Sequence, residues 1–100
     1  MTEAEMERRA LVPKERAALA NAEEKLAALG PRLPFPHSSA VKGHEGLREL
    51  RPRGGNCMWR ALYRRVGDEF IIASVCPEAM MSPKRFDAGC RAAERRLGEP

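Results

Sequence analysis

The sequence predicts an α+β fold in which N-terminal helices and a C-terminal helix pack on a small antiparallel β-sheet meander. Two observations carry this prediction. Apolar residues recur with helical spacing near both ends of the chain, whereas the middle alternates with the period of two that a strand requires. We expect the helices to cover one face of the sheet and leave the other open. A length of 100 residues suits one domain, so 1–100 is taken as a single unit.

Signals for the ends of helices define three helical segments. Thr2, with Glu5 three residues later, fits a capping box that begins the first helix. Pro13 suits the first turn of the second helix and Gly30 ends it, while Ser82 precedes a first-turn proline in the third. The predicted helices span about residues 3–10, 13–29 and 83–97.

The central part of the chain is predicted to form three strands. A proline-rich connector over residues 30–46 forces an extended path from the second helix to the sheet. Turn residues at Gly54–Asn56 and at Gly67–Asp68 then separate the alternating runs. Pro52 indicates an edge position for the first run, because proline cannot donate to a neighbouring strand. The predicted strands span residues 47–53, 57–66 and 69–76.

The composition excludes several classes of protein. No apolar run approaches the roughly 20 residues of a membrane span, and the N-terminus lacks an apolar signal segment, so we expect a cytoplasmic protein with no membrane partner. Cys57, Cys76 and Cys90 are odd in number and form no Cys-x-x-Cys, which indicates buried thiols. A glycine-rich phosphate loop, a zinc signature and a Ser-His-Asp order are all missing from the sequence. No cofactor and no metal are therefore expected.

Positive charge is concentrated in the middle of the chain. Residues 31–65 carry eight Lys/Arg and two Glu, a net charge of +6, against +4 for the whole chain. Nearly all of these cations are arginines, whose planar guanidinium matches phosphate bidentately. This pattern favours a polyanionic partner such as nucleic acid. A solvated basic surface with no ligand is the plainer alternative.

Alternation along the strands predicts where the arginines point. Trp59 and Tyr63 share one face of the second strand, and their rings mark that face as the core side. Arg60 would then lie on the open face, where Arg51 and Arg53 of the preceding strand come beside it. Like charges this close are unfavourable unless a phosphate or an acidic partner lies between them.

Three segments of the chain carry a resemblance to a known family. The segments are Leu33-Pro34-Phe35-Pro36-His37-Ser38, Gly46-Leu47-Arg48-Glu49-Leu50-Arg51 and Trp59-Arg60-Ala61-Leu62-Tyr63. In this order they resemble the RelE/ParE superfamily of toxins, and within it the HigB-like, phage-derived Gp49-like group. The resemblance covers about residues 13–97, and it depends on the order of the segments because no single one is diagnostic.

The resemblance implies a toxin of a type II toxin–antitoxin pair. Members are typically metal-independent mRNA endonucleases that act on the ribosome and are held inactive by a helix-turn-helix antitoxin. The phosphate-binding arginines of the family fall on Arg60 and Arg51. Together with the strand argument, this predicts catalytic roles for Arg51, Arg53 and Arg60, and nucleic-acid binding by Lys42, Arg48 and Arg64.

The chain departs from the family pattern at two places. Leu47 and Glu49 stand at positions that are basic in nuclease members, and Pro77-Glu78-Ala79 replaces the cations that follow the third strand. A glutamate could accept a proton, but it would also repel RNA phosphate. His37 in the connector is a further candidate for proton transfer. Two alternatives stay open: a ParE-like or degenerate toxin that binds without cleaving, and a plain nucleic-acid-binding module.

Overall fold

A computed structural model describes residues 1–98 and confirms the predicted α+β fold class. Short 3₁₀ turns at Gly30–Arg32 and Pro52–Gly55 lie between the main elements. No helix within residues 1–98 has the length and apolar character needed to cross a bilayer. The helices are α1 (Glu3–Arg9), α2 (Pro13–Leu29) and α3 (Pro83–Gly98), and the strands are β1 (Ser38–Ala40), β2 (Arg48–Leu50), β3 (Trp59–Val66) and β4 (Glu69–Pro77).

The three helices begin at the residues that the sequence indicates, whereas α1 and α3 each end one residue from the predicted position. The hydroxyl of Thr2 accepts a hydrogen bond from the backbone N–H of Glu5 (3.1 Å) at the start of α1. Pro13 is the first residue of α2, and Gly30 ends that helix with a φ of 57°, a conformation that glycine adopts without strain. Ser82 caps α3 by accepting from the N–H of Arg85 (3.2 Å). Capping of this kind satisfies backbone donors that the helix itself leaves free.

Within residues 1–98, the sheet has four antiparallel strands in the order β1-β2-β3-β4, one more than predicted. The additional strand, β1, is three residues long and lies in the predicted connector, where it is too short to give an alternating pattern. β2 is therefore an inner strand, and the edge position inferred from Pro52 is wrong. Pro52 instead ends the strand, because the chain turns at Arg53, which has a φ of 55°.

Helices cover both faces of the sheet, so the expectation of one open face is wrong. On one face, Ala61 and Tyr63 of β3 pack with Leu19 and other buried residues of α2. On the opposite face, Leu62 packs with Cys90 and its buried neighbours in α3. Consecutive residues of β3 are thus buried on opposite sides, as the alternation of a strand requires. The face occupied by α2 is called the α2 face below, and the other the α3 face.

Gly89 allows α3 to approach β4 closely. A Cβ atom at this position would lie 2.6 Å from the sulfur of Cys76 and 2.7 Å from its Cβ, both shorter than real contacts. From the sequence alone, Gly89 is only a residue of low helix propensity inside α3. The structure gives it a packing role that the helical pattern alone does not reveal.

The outer edge of β4 is covered by an ion pair between the two terminal helices. The carboxylate of Glu7 in α1 accepts from the backbone N–H of Val75 (3.0 Å). Arg96 in α3 donates to the carbonyl of Ala73 (2.7 Å) and to the carboxylate of Glu7 (3.0 Å). Hydrogen bonding to Glu7 raises the pKa of Arg96 above its ordinary value. The helices are thereby fixed to each other and to the strand.

Candidate functional site

Arg60 is buried at the start of β3 on the α3 face. Its side chain is only 2% exposed, although it carries a permanent positive charge. Nε donates to Glu49 Oε1 (3.1 Å), and Nη2 donates to Glu78 Oε2 (2.8 Å). Nη1 donates to the carbonyls of Cys57 and Trp59. A buried guanidinium with all three nitrogens bonded in this way is fixed in position.

Arg51 shares a carboxylate oxygen with Arg60. Its Nη1 donates to Glu49 Oε1 at 3.0 Å, the same oxygen that accepts from Arg60. Its Nε donates to the carbonyl of Pro36 (2.9 Å), and its guanidinium lies 5.4 Å from the centre of the exposed Phe35 ring. Among residues 1–98, the hydrogen bonds to the Glu49 carboxylate all go to Oε1. Its second oxygen is thus left without a protein donor there.

The charges of this cluster cancel. We call the set Arg51, Arg60, Glu49 and Glu78 the Glu49 cluster; it holds two guanidiniums and two carboxylates. Glu49 lies on β2, and Glu78 follows β4. The two acids among the residues that depart from the family pattern, Glu49 and Glu78, are therefore the partners of the two arginines expected to bind phosphate.

The prediction that Arg60 lies on an uncovered side of the sheet is wrong. Residues of β3 on both faces are buried, and Arg60 is directed into the cluster on the α3 face. The structure nevertheless brings Arg51 and Arg60 together, as the strand argument expects. Sequence alternation locates the face correctly, but it does not show that two acids from β2 and the end of β4 occupy the space between the guanidiniums.

Arg53 does not join the Glu49 cluster. It lies in the turn after β2, is exposed, and has the positive φ already noted. Arg53 lines a small cleft of about 120 Å³ with Lys25 and His37, on the side of α2. Within residues 1–98, no carboxylate lies within 4.0 Å of Arg53 or Lys25, so this cleft is basic.

The three residues expected to bind nucleic acid lie in different surroundings. Arg64 donates to both carboxylate oxygens of Glu94 in α3 (3.1 and 3.2 Å), so its charge is paired. Lys42 is exposed in the loop between β1 and β2. Arg48 donates from Nε to the hydroxyl of Ser38 (3.0 Å). Arg48 and Arg64 line one cleft, whereas Lys42 is not among the residues that line it.

A buried hydroxyl pair next to Arg48 was not predicted. Ser38 Oγ and Tyr63 Oη lie 2.6 Å apart, and both residues are buried. Ser38 belongs to β1, the strand that the sequence does not reveal. A serine in a proline-rich connector carries no pattern that would have identified it.

The thiols of Cys76 and Cys90 are buried and protonated. Burial raises the pKa of Cys76 to about 12 and that of Cys90 to about 11, from an ordinary 9.0. All three cysteines are free and buried, as the sequence indicates. Neither Cys76 nor Cys90 carries the thiolate that nucleophilic catalysis requires. Within residues 1–98, no group of three or more His, Cys, Asp or Glu side chains is arranged to hold a metal ion.

The fold agrees with the family that the chain matches. This α+β arrangement of helices and antiparallel strands corresponds to the class of small RelE/HigB-like toxins. The family described as "Phage derived protein Gp49-like (DUF891)" matches residues 6–76, more than half of the chain, and the chain belongs to that family. Membership is consistent with a toxin of a toxin–antitoxin system. No curated protein and no solved structure gives a significant match.

Proposed function

We propose that this protein is the toxin of a type II toxin–antitoxin pair and that it cleaves mRNA on the ribosome without a metal ion. Its partners would be translated mRNA and a helix-turn-helix antitoxin, in the cytoplasm. Family membership supports the toxin assignment. The observation that carries the nuclease proposal is the sharing of Glu49 Oε1 by the guanidiniums of Arg51 and Arg60.

The proposed chemistry uses Glu49 as the proton acceptor. A ribose 2′-hydroxyl attacks the adjacent phosphorus, the new O–P bond forms, and the hydroxyl proton passes to Oε2 of Glu49. The bond from phosphorus to the 5′ oxygen breaks, and that oxygen takes a proton from the solvent or from His37. Metal-free cleavage of this kind depends on a positioned base and on cations that stabilise the charged transition state.

The two arginines would have different roles in this reaction. Arg51 is partly exposed and could turn a donor toward the phosphate, which makes it the candidate catalytic cation. Arg60 is too deeply buried to touch RNA, so it is a positioning residue that holds Glu49 and Glu78. Arg53 lies outside the cluster and would contact RNA beyond the bond that is cut.

An expression experiment tests the proposal. The chain is induced in a bacterial host, growth is followed, and cleavage of translated mRNA is mapped by primer extension. Glu49→Gln keeps the shape of the side chain but removes the base, so cleavage should fall by about 10²-fold or more. Glu69→Gln is the matched control, because Glu69 is an exposed carboxylate on the β3–β4 hairpin. Unchanged cleavage in Glu49→Gln would contradict the assignment of the base.

A second candidate function is a toxin that binds its target without cleaving RNA. The charge balance of the Glu49 cluster favours it, because an anionic backbone gains little from cations that are already paired. Growth arrest with intact mRNA would support this function, and arrest accompanied by cleavage would exclude it. In either case, coexpression of a helix-turn-helix antitoxin encoded beside the chain should restore growth.

A further inference from the structure

A large cleft lies at the end of the sheet near the C-terminal end of α2. Its volume is about 440 Å³, within the usual range of small-molecule sites. The residues that line it include three arginines and, among residues 1–98, no Asp or Glu. We call it the Arg48 cleft; it is lined mainly by Leu33, Arg48, Tyr63, Arg64, Arg65 and Phe70.

Arg48 and Tyr63 of the Arg48 cleft lie on the opposite face of the sheet from the Glu49 cluster, whereas Arg64 lines the cleft and pairs with Glu94 of α3. Arg48 is the register partner of Tyr63, and Tyr63 belongs to the core on the α2 face. Glu49, the next residue along β2, is directed to the α3 face, where Arg60 lies. The cleft is therefore a separate site.

Arg48 is held in place with its terminal nitrogens free. Nε donates to Ser38 Oγ (3.0 Å), which is itself 2.6 Å from Tyr63 Oη. Ser38 and Tyr63 are 1% and 3% exposed, so the anchor is rigid. Within residues 1–98, neither Nη atom has a hydrogen-bond partner and no carboxylate lies within 4.0 Å of the guanidinium. A fixed guanidinium with two unused donors is suited to bidentate binding of a phosphate.

The surroundings of Arg48 add positive charge and an aromatic wall. Arg65 is 54% exposed; it donates to the carbonyl of Gly67 and meets Asp68 only at 3.7 Å, on the open surface. Arg64 is paired with Glu94, so it adds little net charge. Phe70 is partly buried and meets the Tyr63 ring edge-to-face, with 6.0 Å between centroids. Aromatic rings of this kind stack with nucleobases.

We propose that the Arg48 cleft binds a nucleoside phosphate, with the phosphate on Arg48 and the base against Phe70. The same chemistry is offered by a free nucleotide and by one residue of a single-stranded RNA. The site stands apart from the proposed cleavage at Glu49, because binding needs neither the ribosome nor an intact catalytic cluster.

Two measurements on the purified full-length chain test this proposal. Calorimetry measures binding, and changes in backbone amide NMR shifts locate the ligand. The probes are inorganic phosphate, adenosine 5′-monophosphate and a six-residue oligoadenylate. Saturable binding of the nucleotide or the oligomer, with shifts at Gly46 and Phe70, is expected. Similar affinities for the two would identify a free-nucleotide site, whereas an oligomer bound more than about tenfold tighter would identify an RNA site.

Two variants and a control complete the test. Arg48→Ala should weaken binding by about tenfold or more, and Arg65→Ala by a few-fold with a shallower dependence on salt. Arg65 is exposed, so its variant remains informative even if Arg48→Ala folds poorly. The matched control is Arg91→Ala, since Arg91 is 74% exposed on α3 and lies outside the cleft. The proposal is overturned if no probe binds saturably, or if Arg48→Ala and Arg65→Ala bind as Arg91→Ala does.

Discussion

Arg60 in the Glu49 cluster and Arg48 in the Arg48 cleft lie on opposite faces of one sheet. The charge of Arg60 is paired with carboxylates, whereas the charge of Arg48 is not. In the cluster, Arg60 is 2% exposed and two carboxylates balance two guanidiniums. In the cleft, Arg48 is anchored by a neutral hydroxyl and keeps its charge available. The comparison teaches that the partner of an arginine, rather than the number of arginines, decides whether a basic stretch can bind an anion.

The largest expected effect comes from removing the buried cation of the cluster. Arg60→Ala leaves Glu49 and Glu78 without their shared partner, and should lower the free energy of unfolding by about 3 kcal/mol, at the low end for buried pairs because Glu78 is partly exposed. Arg65→Ala, in the Arg48 cleft, should change the free energy of unfolding by less than about 0.5 kcal/mol. Urea denaturation followed by circular dichroism measures both. Equal stability of the two variants would show that Arg60 is not a structural cation.

The second prediction tests how closely α3 packs against the face of the sheet that carries the Glu49 cluster. Gly89→Ala places a methyl group against Cys76, and this clash should cost about 2 kcal/mol even though alanine favours a helix. Gly98→Ala on the same helix meets no atom of residues 1–98 within 4 Å and should be neutral or slightly stabilising. Thermal unfolding compares the two. A stabilised Gly89→Ala protein would mean that α3 packs less closely than described.

The third prediction concerns stability at alkaline pH, which reports on the burial of the Cys76 thiol. Cys76 lies beside the Glu49 cluster because it is the register partner of Arg60. The folded pKa of Cys76 is about 12 against 9.0 for a free thiol, so the unfolded chain loses this proton first as the pH rises. The contribution of the Cys76 thiol to the free energy of unfolding is constant below pH 9.0. Above that pH, the free energy of unfolding should fall by about 1.4 kcal/mol per pH unit until about pH 12.

Denaturation at several pH values measures this slope. Cys76→Ala should make it shallower, whereas Val75→Ala, a neighbouring buried change without a titrating group, should lower stability but keep the slope. An identical slope in Cys76→Ala and the unchanged chain would contradict the burial of the thiol.

A small effect on stability is expected when the anchored arginine of the Arg48 cleft is removed. Arg48→Ala removes one hydrogen bond to Ser38 but leaves no unpaired charge, so it should cost about 1 kcal/mol or less. The Ser38–Tyr63 bond remains. A loss as large as that of Arg60→Ala would remove the contrast between the two regions, and urea denaturation of both variants decides it.

Most of the fold is predictable from the sequence because local signals agree with it. Thr2, Pro13 and Ser82 begin helices where capping chemistry requires, and the glycines at 30 and 67 turn the chain with positive φ. The strand β1 is missed because three residues cannot display a period. The covering of both faces is missed because Ala61, Leu62 and Tyr63 are all apolar enough to be buried, a run that alternation does not resolve.

The candidate site is predictable only in part. That Arg51 and Arg60 meet follows from the alternation of strands. That Glu49 and Glu78 fill the space between them depends on the register of β2 with β3 and on the path of the chain after β4. Such long-range placements have no local signature. The neutral anchor of Arg48 is hidden for the same reason, since Ser38 is ten residues away in the chain.

The ion pair of Glu7 and Arg96 on the last strand has a consequence for how the protein associates. An uncovered outer strand would be a template onto which another chain could add its own backbone. Here the amide of Val75 and the carbonyl of Ala73 are already occupied by side chains. A partner that lengthened the sheet at this side would first have to separate α1 from α3.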